Sequence, residues 1–273
     1  MIDEDGTNET RLTSGARPSW SPDGQKIAFV SIPRDGKPSD IYVLDADGTN
    51  KARLAEDAAA GHGPAWSPDG EQIAFVRNVH NATEGSETAQ TAQDLYVIDE
   101  DGTDETRLTK SDSDPETGTG LGYPVWSPDG NKMAFLSSTW RDTNSDSPES
   151  AAASPAPVAG TDGMYVIEME TAGLCKLTST VDSFIWSPEG NKIAFSDNDA
   201  IYVTNVDGTG RQELTRTVDA PSSALVRSPD GERIAFVRQG DLFVVNTDGT
   251  GLKRLASKLA QEYSAVVVSW SRG

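Results

Sequence analysis

Three Asp-x-Asp-Gly strings, at Asp3/Asp5, Asp45/Asp47 and Asp99/Asp101, are the residues whose type and spacing most suggest chemistry. Carboxylates alternating ahead of a glycine are what a calcium loop offers. As EF-hands the strings fail, because the loop lacks its glycine at position six and no bidentate Glu recurs at position twelve. Turn chemistry accounts for them. Weak calcium or other cation binding at clustered turns, or in a channel, stays open, and no other cofactor is expected. His62 and His80 are too few for a His-rich metal site, and neither has a Ser or Cys partner suggested by the sequence. Cys175 stands alone, which excludes a disulfide framework and a thiolate cluster. There is no Gly-x-Ser-x-Gly elbow and no phosphate-binding Gly loop. No nucleophile–base pair can be assembled from these residues.

The bulk composition narrows the partners. The 273 residues carry 23 Lys plus Arg against 43 Asp plus Glu, a formal charge of −20. So acidic a surface repels phosphate backbones, which argues against nucleic acid and for solubility, with cations or basic partners attracted instead. A chain of this length buries roughly three quarters of its unfolded surface, enough for a large core. No apolar run approaches the ~18 residues of a membrane span. The N-terminal MIDEDGTNET has neither the basic nor the apolar stretch of a signal peptide. A monomer is expected.

What must position any functional residue is a repeat. WSPDGQKIAF at residues 20–29 returns as WSPDGEQIAF at 66–75, WSPDGNKMAF at 126–135, WSPEGNKIAF at 186–195 and RSPDGERIAF at 227–236. Each copy is followed by a second strand signal, such as IYVLDADGT at 41–49 or LFVVNTDGT at 242–250, and then by a closing strand. The closing strands end at Leu12, Leu54, Leu108, Leu177, Leu214 and Leu255. The opening position is occupied by Trp20, Trp66, Trp126, Trp186, Arg227 and Trp270. Pro and Gly in Ser-Pro-Asp-Gly, and Gly in Asp-Gly-Thr, are turn residues, and the runs between them are short, β-branched or aromatic. Units of ~40–50 residues with four antiparallel strands are the signature of propeller blades. The Trp is expected to pack between neighbouring blades.

The pair of motifs, Trp-Ser-Pro-Asp-Gly-x-x-Ile-Ala-Phe and Ile-Tyr-Val-x-x-x-Asp-Gly-Thr, resembles the TolB-like family of bacterial β-propellers, also called WD40-like propeller repeats. The resemblance covers nearly the whole chain. It implies an all-β, six-bladed propeller used mostly for protein recognition, in the periplasm or outside the cell. Three features depart from the family pattern: Arg227 in place of Trp, MYVIEMETAG at 164–173 without Asp-Gly-Thr, and no N-terminal domain of the TolB kind ahead of the blades. Prolyl-oligopeptidase-type enzymes carry a related propeller, but their catalytic domain has no counterpart here.

The expected organisation is a single domain over 1–273, with blades at 14–55, 61–109, 121–178, 181–215 and 222–256. Residues 262–273 and 1–13 are expected to join as a sixth blade, thinned by the loss of its Ile-Ala-Phe strand and most of the next. Ser-Pro-Asp-Gly and Asp-Gly-Thr turns then share a regular acidic bottom face, and everything irregular falls on top. The insertions at 77–94 and 137–163 and the connector at 109–124 belong to adjacent blades. Long loops on a rigid scaffold are where binding usually resides. Trp140 beside Arg141 has the composition of an interface anchor, or alternatively folds back onto its own blade. At the rim of the channel, Arg17, His62, Tyr123 and Asp182 offer a grip for a peptide or carboxylate; the alternative for His62 is a purely structural role. Two function classes stand side by side: a non-catalytic module binding a protein or peptide on its top face and channel mouth, and a hydrolase or lyase, or enzyme-associated propeller, acting on a peptide or carbohydrate through acidic channel residues.

Overall fold

A computed structural model describes residues 7, 9–33, 37–80, 91–110, 117–141, 162–197, 200–216, 223–257 and 270. The described residues are all-β, with no helix and with antiparallel pairing throughout. The building block is the Ser-Pro-Asp-Gly hairpin. Ser21 N donates to Lys26 O at 2.9 Å and Gly24 N to Ser21 O at 2.9 Å. The Ser21 hydroxyl donates to Asp23 Oδ1 at 2.6 Å and accepts from Lys26 N at 2.9 Å. Ser67 and Ser127 repeat this pattern with Asp69 and Asp129. Where Glu189 replaces Asp, Ser187 turns to Asn191 Oδ1 at 3.1 Å instead. These serines are buried, so the local partners are what make their burial affordable. The second turn closes in the same manner: Asp47 Oδ1 accepts from Thr49 N at 2.8 Å and from Thr49 Oγ1 at 2.6 Å. Within a repeat the two turns touch, as in Ala46 N to Gln25 O at 2.8 Å and Thr247 N to Glu232 O at 2.8 Å. They lie on one edge of each sheet, as the repeat pattern predicts.

The chain divides into two compact units, Met1–Trp126 with Met133–Thr161, and Ser127–Lys132 with Asp162–Gly273. In the first, β1 (Ala16–Trp20), β2 (Lys26–Val30), β3 (Ser39–Asp45) and β4 (Ala52–Ala58) pair in chain order. β5 (Ala65–Trp66), β6 (Gln72–His80), β7 (Thr91–Asp99) and β8 (Thr106–Arg107) form the next repeat, joined to β4 by the single pair Ala58↔Arg77. β9 (Thr117–Trp126) pairs with β10 (Lys132–Arg141). In the second unit β11 (Gly163–Glu168) pairs with β12 (Leu174–Thr178). Two four-stranded sheets follow. One holds β13 (Ser183–Trp186), β14 (Lys192–Asp197), β15 (Ala200–Asn205) and β16 (Gln212–Arg216). The other holds β17 (Ser223–Arg227), β18 (Arg233–Arg238), β19 (Asp241–Asn246) and β20 (Lys253–Ala256).

The Ile-Ala-Phe strands are buried on both faces, not on alternate residues. Phe75, Phe135, Phe195 and Phe236 are among the largest fully buried side chains. In three repeats the aromatic of the second strand stacks on its Phe, at 5.8 Å for Phe29–Tyr42, 5.7 Å for Phe75–Tyr96 and 5.4 Å for Phe195–Tyr202. A cation caps the outer ring, with Lys51, Arg77 and Arg211 lying 4.5, 4.5 and 4.0 Å from the tyrosine centroids.

Tryptophan joins one repeat to the one before. Trp66 Nε1 donates to Ser19 O at 3.1 Å and Trp126 Nε1 to Ala65 O at 3.0 Å. Trp270 Nε1 does the same to Val226 O at 3.2 Å. Each acceptor immediately precedes the Trp-equivalent residue of the preceding repeat. Trp66, Trp126 and Trp186 are buried, whereas Trp20 departs from expectation and is 46% exposed. Arg227 keeps the position without the ring: its Nε and Nη2 are buried with no hydrogen-bond partner among the described residues, and burial pulls its pKa down.

Two insertions differ from the loops the sequence predicts. β6 and β7 stay in register through His80↔Thr91, so both ends of the 77–94 insertion are strand. β10 runs to Arg141, and Trp140 and Arg141 pair with Gly118 and Thr117 of the connector. The polar composition that reads as loop is tolerated there because ladder hydrogen bonds use backbone groups whatever the side chains are.

Replacing Trp66 with Ala removes the ring and its bond to Ser19 O, and should cost about 3–5 kcal/mol in urea unfolding. Deleting residues 144–159, which lie outside the described residues, should leave stability near wild type, because this Ser-Ala-Pro stretch has no side chains for a core. Equal losses would show that scaffold and excursion have been confused.

Candidate functional site

The site begins with a bulge that recurs in the opening strand of the repeat. In β1, Ala16 pairs with Val30 and Ser19 with Ala28, which leaves Arg17 and Pro18 together opposite Phe29. In β9, Gly122 pairs with Leu136 and Val125 with Ala134, which leaves Tyr123 and Pro124 opposite Phe135. β17 leaves Ala224 and Leu225 opposite Phe236. Pro18 and Pro124 have no N–H to give the ladder and sit in the bulge without losing a bond, while β17 forms the same bulge without a proline. Arg17 takes φ of +53°, a left-handed conformation that is strained for a residue with a side chain. In the second repeat His62, Gly63 and Pro64 precede β5, and His62 N donates to Ala59 O at 3.1 Å.

These segments lie side by side in the first unit, and two glycines make the approach possible. A Cβ on Gly122 would fall 2.5 Å from His62 Cε1 and 2.8 Å from Nδ1. A Cβ on Gly63 would fall 3.0 Å from Arg17 Cβ and 3.1 Å from Arg17 O. The imidazole therefore rests on the Gly122 backbone, and Arg17 rests against Gly63. Burial, and then the positive charge of Arg17, hold the His62 pKa below the ordinary 6.5. Arg17 is exposed. The pair is thus an exposed cation beside an imidazole that is neutral at neutral pH, two donors suited to an oxygen acceptor.

Side chains that the sequence reading passed over hold this floor. Gln93 Oε1 accepts from Leu121 N at 2.9 Å, and Gln93 Nε2 donates to Asn78 Oδ1 at 3.1 Å. Asn78 Nδ2 reaches Ala58 O at 3.5 Å, so a polar relay runs from β4 through β6 and β7 to β9. One residue on, the fully buried Asp94 accepts from Arg107 and from Thr109 Oγ1, fixing the start of the connector. No local pattern marks Gln93 or Asn78; their partners are distant in sequence.

Of the residues singled out from sequence, Arg17, His62 and the backbone at Tyr123 are brought together. Trp140 sits opposite Gly118, four residues from Gly122 and about 13 Å along the strand, with Arg141 one residue further. Asp182 belongs to the second unit, where it is exposed and its N donates to Ser196 O at 2.9 Å. The Asp-Gly-Thr carboxylates have work in their turns: Thr hydroxyls and amides hold Asp47, Asp101, Asp207 and Asp248 below the usual carboxylate range. Among the described residues no three His, Cys, Asp or Glu are grouped to hold a metal ion. No helix there is long and apolar enough to cross a membrane.

Repeated antiparallel hairpins closed by these turns and linked by tryptophan define a β-propeller domain. A family model for the TolB beta propeller domain matches residues 1–143, and the chain belongs to that family. A curated relative, the Tol-Pal system protein TolB of Thioalkalivibrio sulfidiphilus (strain HL-EbGR7), is 37% identical over 59 residues, 20% of this chain and 13% of the relative. The crystal structure of TolB from Acinetobacter baumannii superposes with a TM-score of 0.51 at 22% identity, over 94% of this chain and 59% of that one. An oligogalacturonate lyase in complex with manganese gives a TM-score of 0.60 at 15% identity, over 98% of this chain and 72% of that one. At such identities the structural likeness concerns the fold alone. The chain spans less than two thirds of both TolB proteins.

The His62 environment predicts a titration. A folded pKa below the unfolded value means that His62 contributes stability fully present above 6.5 and lost as pH falls through the folded value. Followed by its Cε1–H resonance, His62 should titrate below 6.5 in the wild type. The midpoint should rise in Gly122→Ala, which pushes the ring off its seat, and in Arg17→Ala, which removes the neighbouring charge. Unchanged midpoints in both variants would contradict the arrangement.

Proposed function

We propose that this chain is a non-catalytic β-propeller interaction module that binds a protein or peptide partner on its top face and at the channel mouth. One observation carries the reading. The turn edge repeats one hydrogen-bonded Asp-Gly-Thr sequence four times, and its hydroxyls and carboxylates are already engaged with each other. The opposite ends are unlike one another: β6, β7, β9 and β10 run to nine or ten residues and carry unique sequence. A repeated edge gives a partner little to distinguish, whereas a unique edge gives it an address.

In this proposal residues 1–273 form one domain of six blades with the boundaries predicted from the sequence, and the sixth draws on 262–273 and 1–13. The protein works as a monomer in the periplasm or outside the cell, as the TolB likeness suggests. Trp140, Arg141, Tyr123, His62, Arg17 and Asp182 are the proposed contact residues. The enzyme reading, a hydrolase or lyase acting on a peptide or carbohydrate, draws on the fold shared with oligogalacturonate lyase. It lacks support from the described acids, since the turn carboxylates are held by Thr and no nucleophile–base pair accompanies them.

The test is capture of a partner by the immobilised chain. Changing Trp140 and Tyr123 to Ala together should abolish capture without unfolding the domain, as aromatic anchors at an interface centre do. Alanines at Asp47 and Asp101 should leave capture intact. Loss on the turn side with none on the other would overturn the face assignment, and turnover in a peptidase and glycosidase screen would favour the enzyme reading.

A further inference from the structure

We propose that Arg17 and His62 together form the receptor for a single carboxylate of a bound peptide. The proposal rests on the interaction-module reading and adds the chemical group recognised. Arg17 differs from three other arginines of its unit. Arg53, Arg77 and Arg107, in the same unit, each pair with a carboxylate of the chain. Arg17 is exposed and has no carboxylate partner among the described residues, in a protein of formal charge −20. An exposed guanidinium with no carboxylate partner among the described residues makes a local positive spot in a negative field.

Its position is built. The bulge with Pro18 holds Arg17 at φ +53°, and bulges of this kind re-aim side chains at functional edges. Gly63 admits the Arg17 backbone and Cβ and Gly122 admits the imidazole, so the imidazole and the root of the Arg17 side chain are both seated against backbone. Gln93 pins the neighbouring Leu121 N, which fixes the strand under His62. Donors held in place before binding lose little freedom when a ligand arrives.

The donor set selects the ligand. A guanidinium presents a planar fork that matches the two oxygens of a carboxylate, and a neutral imidazole adds one N–H at the side. A polyanion is disfavoured by the overall charge, whereas one carboxylate on an otherwise neutral or basic peptide is not. Two sources share this chemistry, a C-terminal α-carboxylate and an Asp or Glu side chain.

The experiment titrates short peptides into the intact chain and follows the His62 Cε1–H resonance, with calorimetry alongside. The probes are acetyl-trialanine as free acid and as amide, and acetyl-Ala-Glu-Ala-amide against its Gln counterpart. Affinity is expected in the millimolar range, about what one charged contact supports. A free-acid peptide that binds at least about tenfold better than its amide supports the proposal with the terminus as source. The same preference for Glu over Gln supports it with the side chain as source. Arg17→Gln should lose that preference, and Arg17→Lys, which keeps charge without the fork, should keep only part of it. Thermal unfolding of both variants should match wild type. Acids and amides binding equally would overturn the proposal while leaving a peptide module standing. Binding of digalacturonate with no peptide binding would overturn both, and no response to any probe overturns the carboxylate receptor.

Discussion

The contact on which the structure depends is the tryptophan indole donating to a backbone carbonyl of the preceding repeat. A four-stranded antiparallel sheet of short strands cannot cover both of its faces. The Ile-Ala-Phe strand, buried on both, makes that need acute. Trp66 and Trp126 cover it by bringing a large ring to the neighbour and then satisfying the one polar atom the ring carries, at Ser19 O and Ala65 O. In these bonds the acceptor lies one residue before the Trp-equivalent of the preceding repeat. Register along the strand and packing between sheets are therefore set by the same residue. At Arg227 the ring is lost and buried guanidinium nitrogens stand in its place, so the device is not uniform along the chain.

The turns complement this device at the sheet edge. Ser, Asp and Thr there satisfy one another locally through one oxygen of each carboxylate, so turn chemistry alone accounts for a carboxylate-rich edge. The proposed function lies at the other end, where β6–β7 and β9–β10 outgrow their counterparts and where a bulge, two glycines and a Gln–Asn relay surround Arg17 and His62. The scaffold is repetitive where it must be stable and singular where it offers a surface.

How much of this was legible in the sequence follows from the range of each interaction. The Ser-Pro-Asp-Gly and Asp-Gly-Thr turns close over five residues or fewer, so their hydrogen bonds could be inferred from residue type alone, and so could the antiparallel strands they join. The bonds from Trp66 to Ser19 and from Trp126 to Ala65 span the length of a repeat; packing of the ring was foreseeable from the repeat, but the acceptor was not. The extension of β10 through Trp140 and Arg141 was missed because a strand pairing through Gly-Thr-Gly carries no alternation of apolar side chains. His62 was singled out as a rim residue, yet its seat on Gly122 and the hold of Gln93 on Leu121 join residues far apart in sequence, and nothing local announces them. Trp20 shows the converse, with a motif identical to its neighbours and an indole 46% exposed.

The account stands most directly on the indole hydrogen bonds, and hydrogen exchange at the tryptophan Nε1–H groups measures them. With the domain folded at neutral pH, the Nε1–H protons of Trp66 and Trp126 should exchange at least about a hundredfold more slowly than a free tryptophan side chain, because they open only with the contact between repeats. Exchange of both at the free rate would mean that these bonds do not join the repeats, and the account of the fold would fail with them.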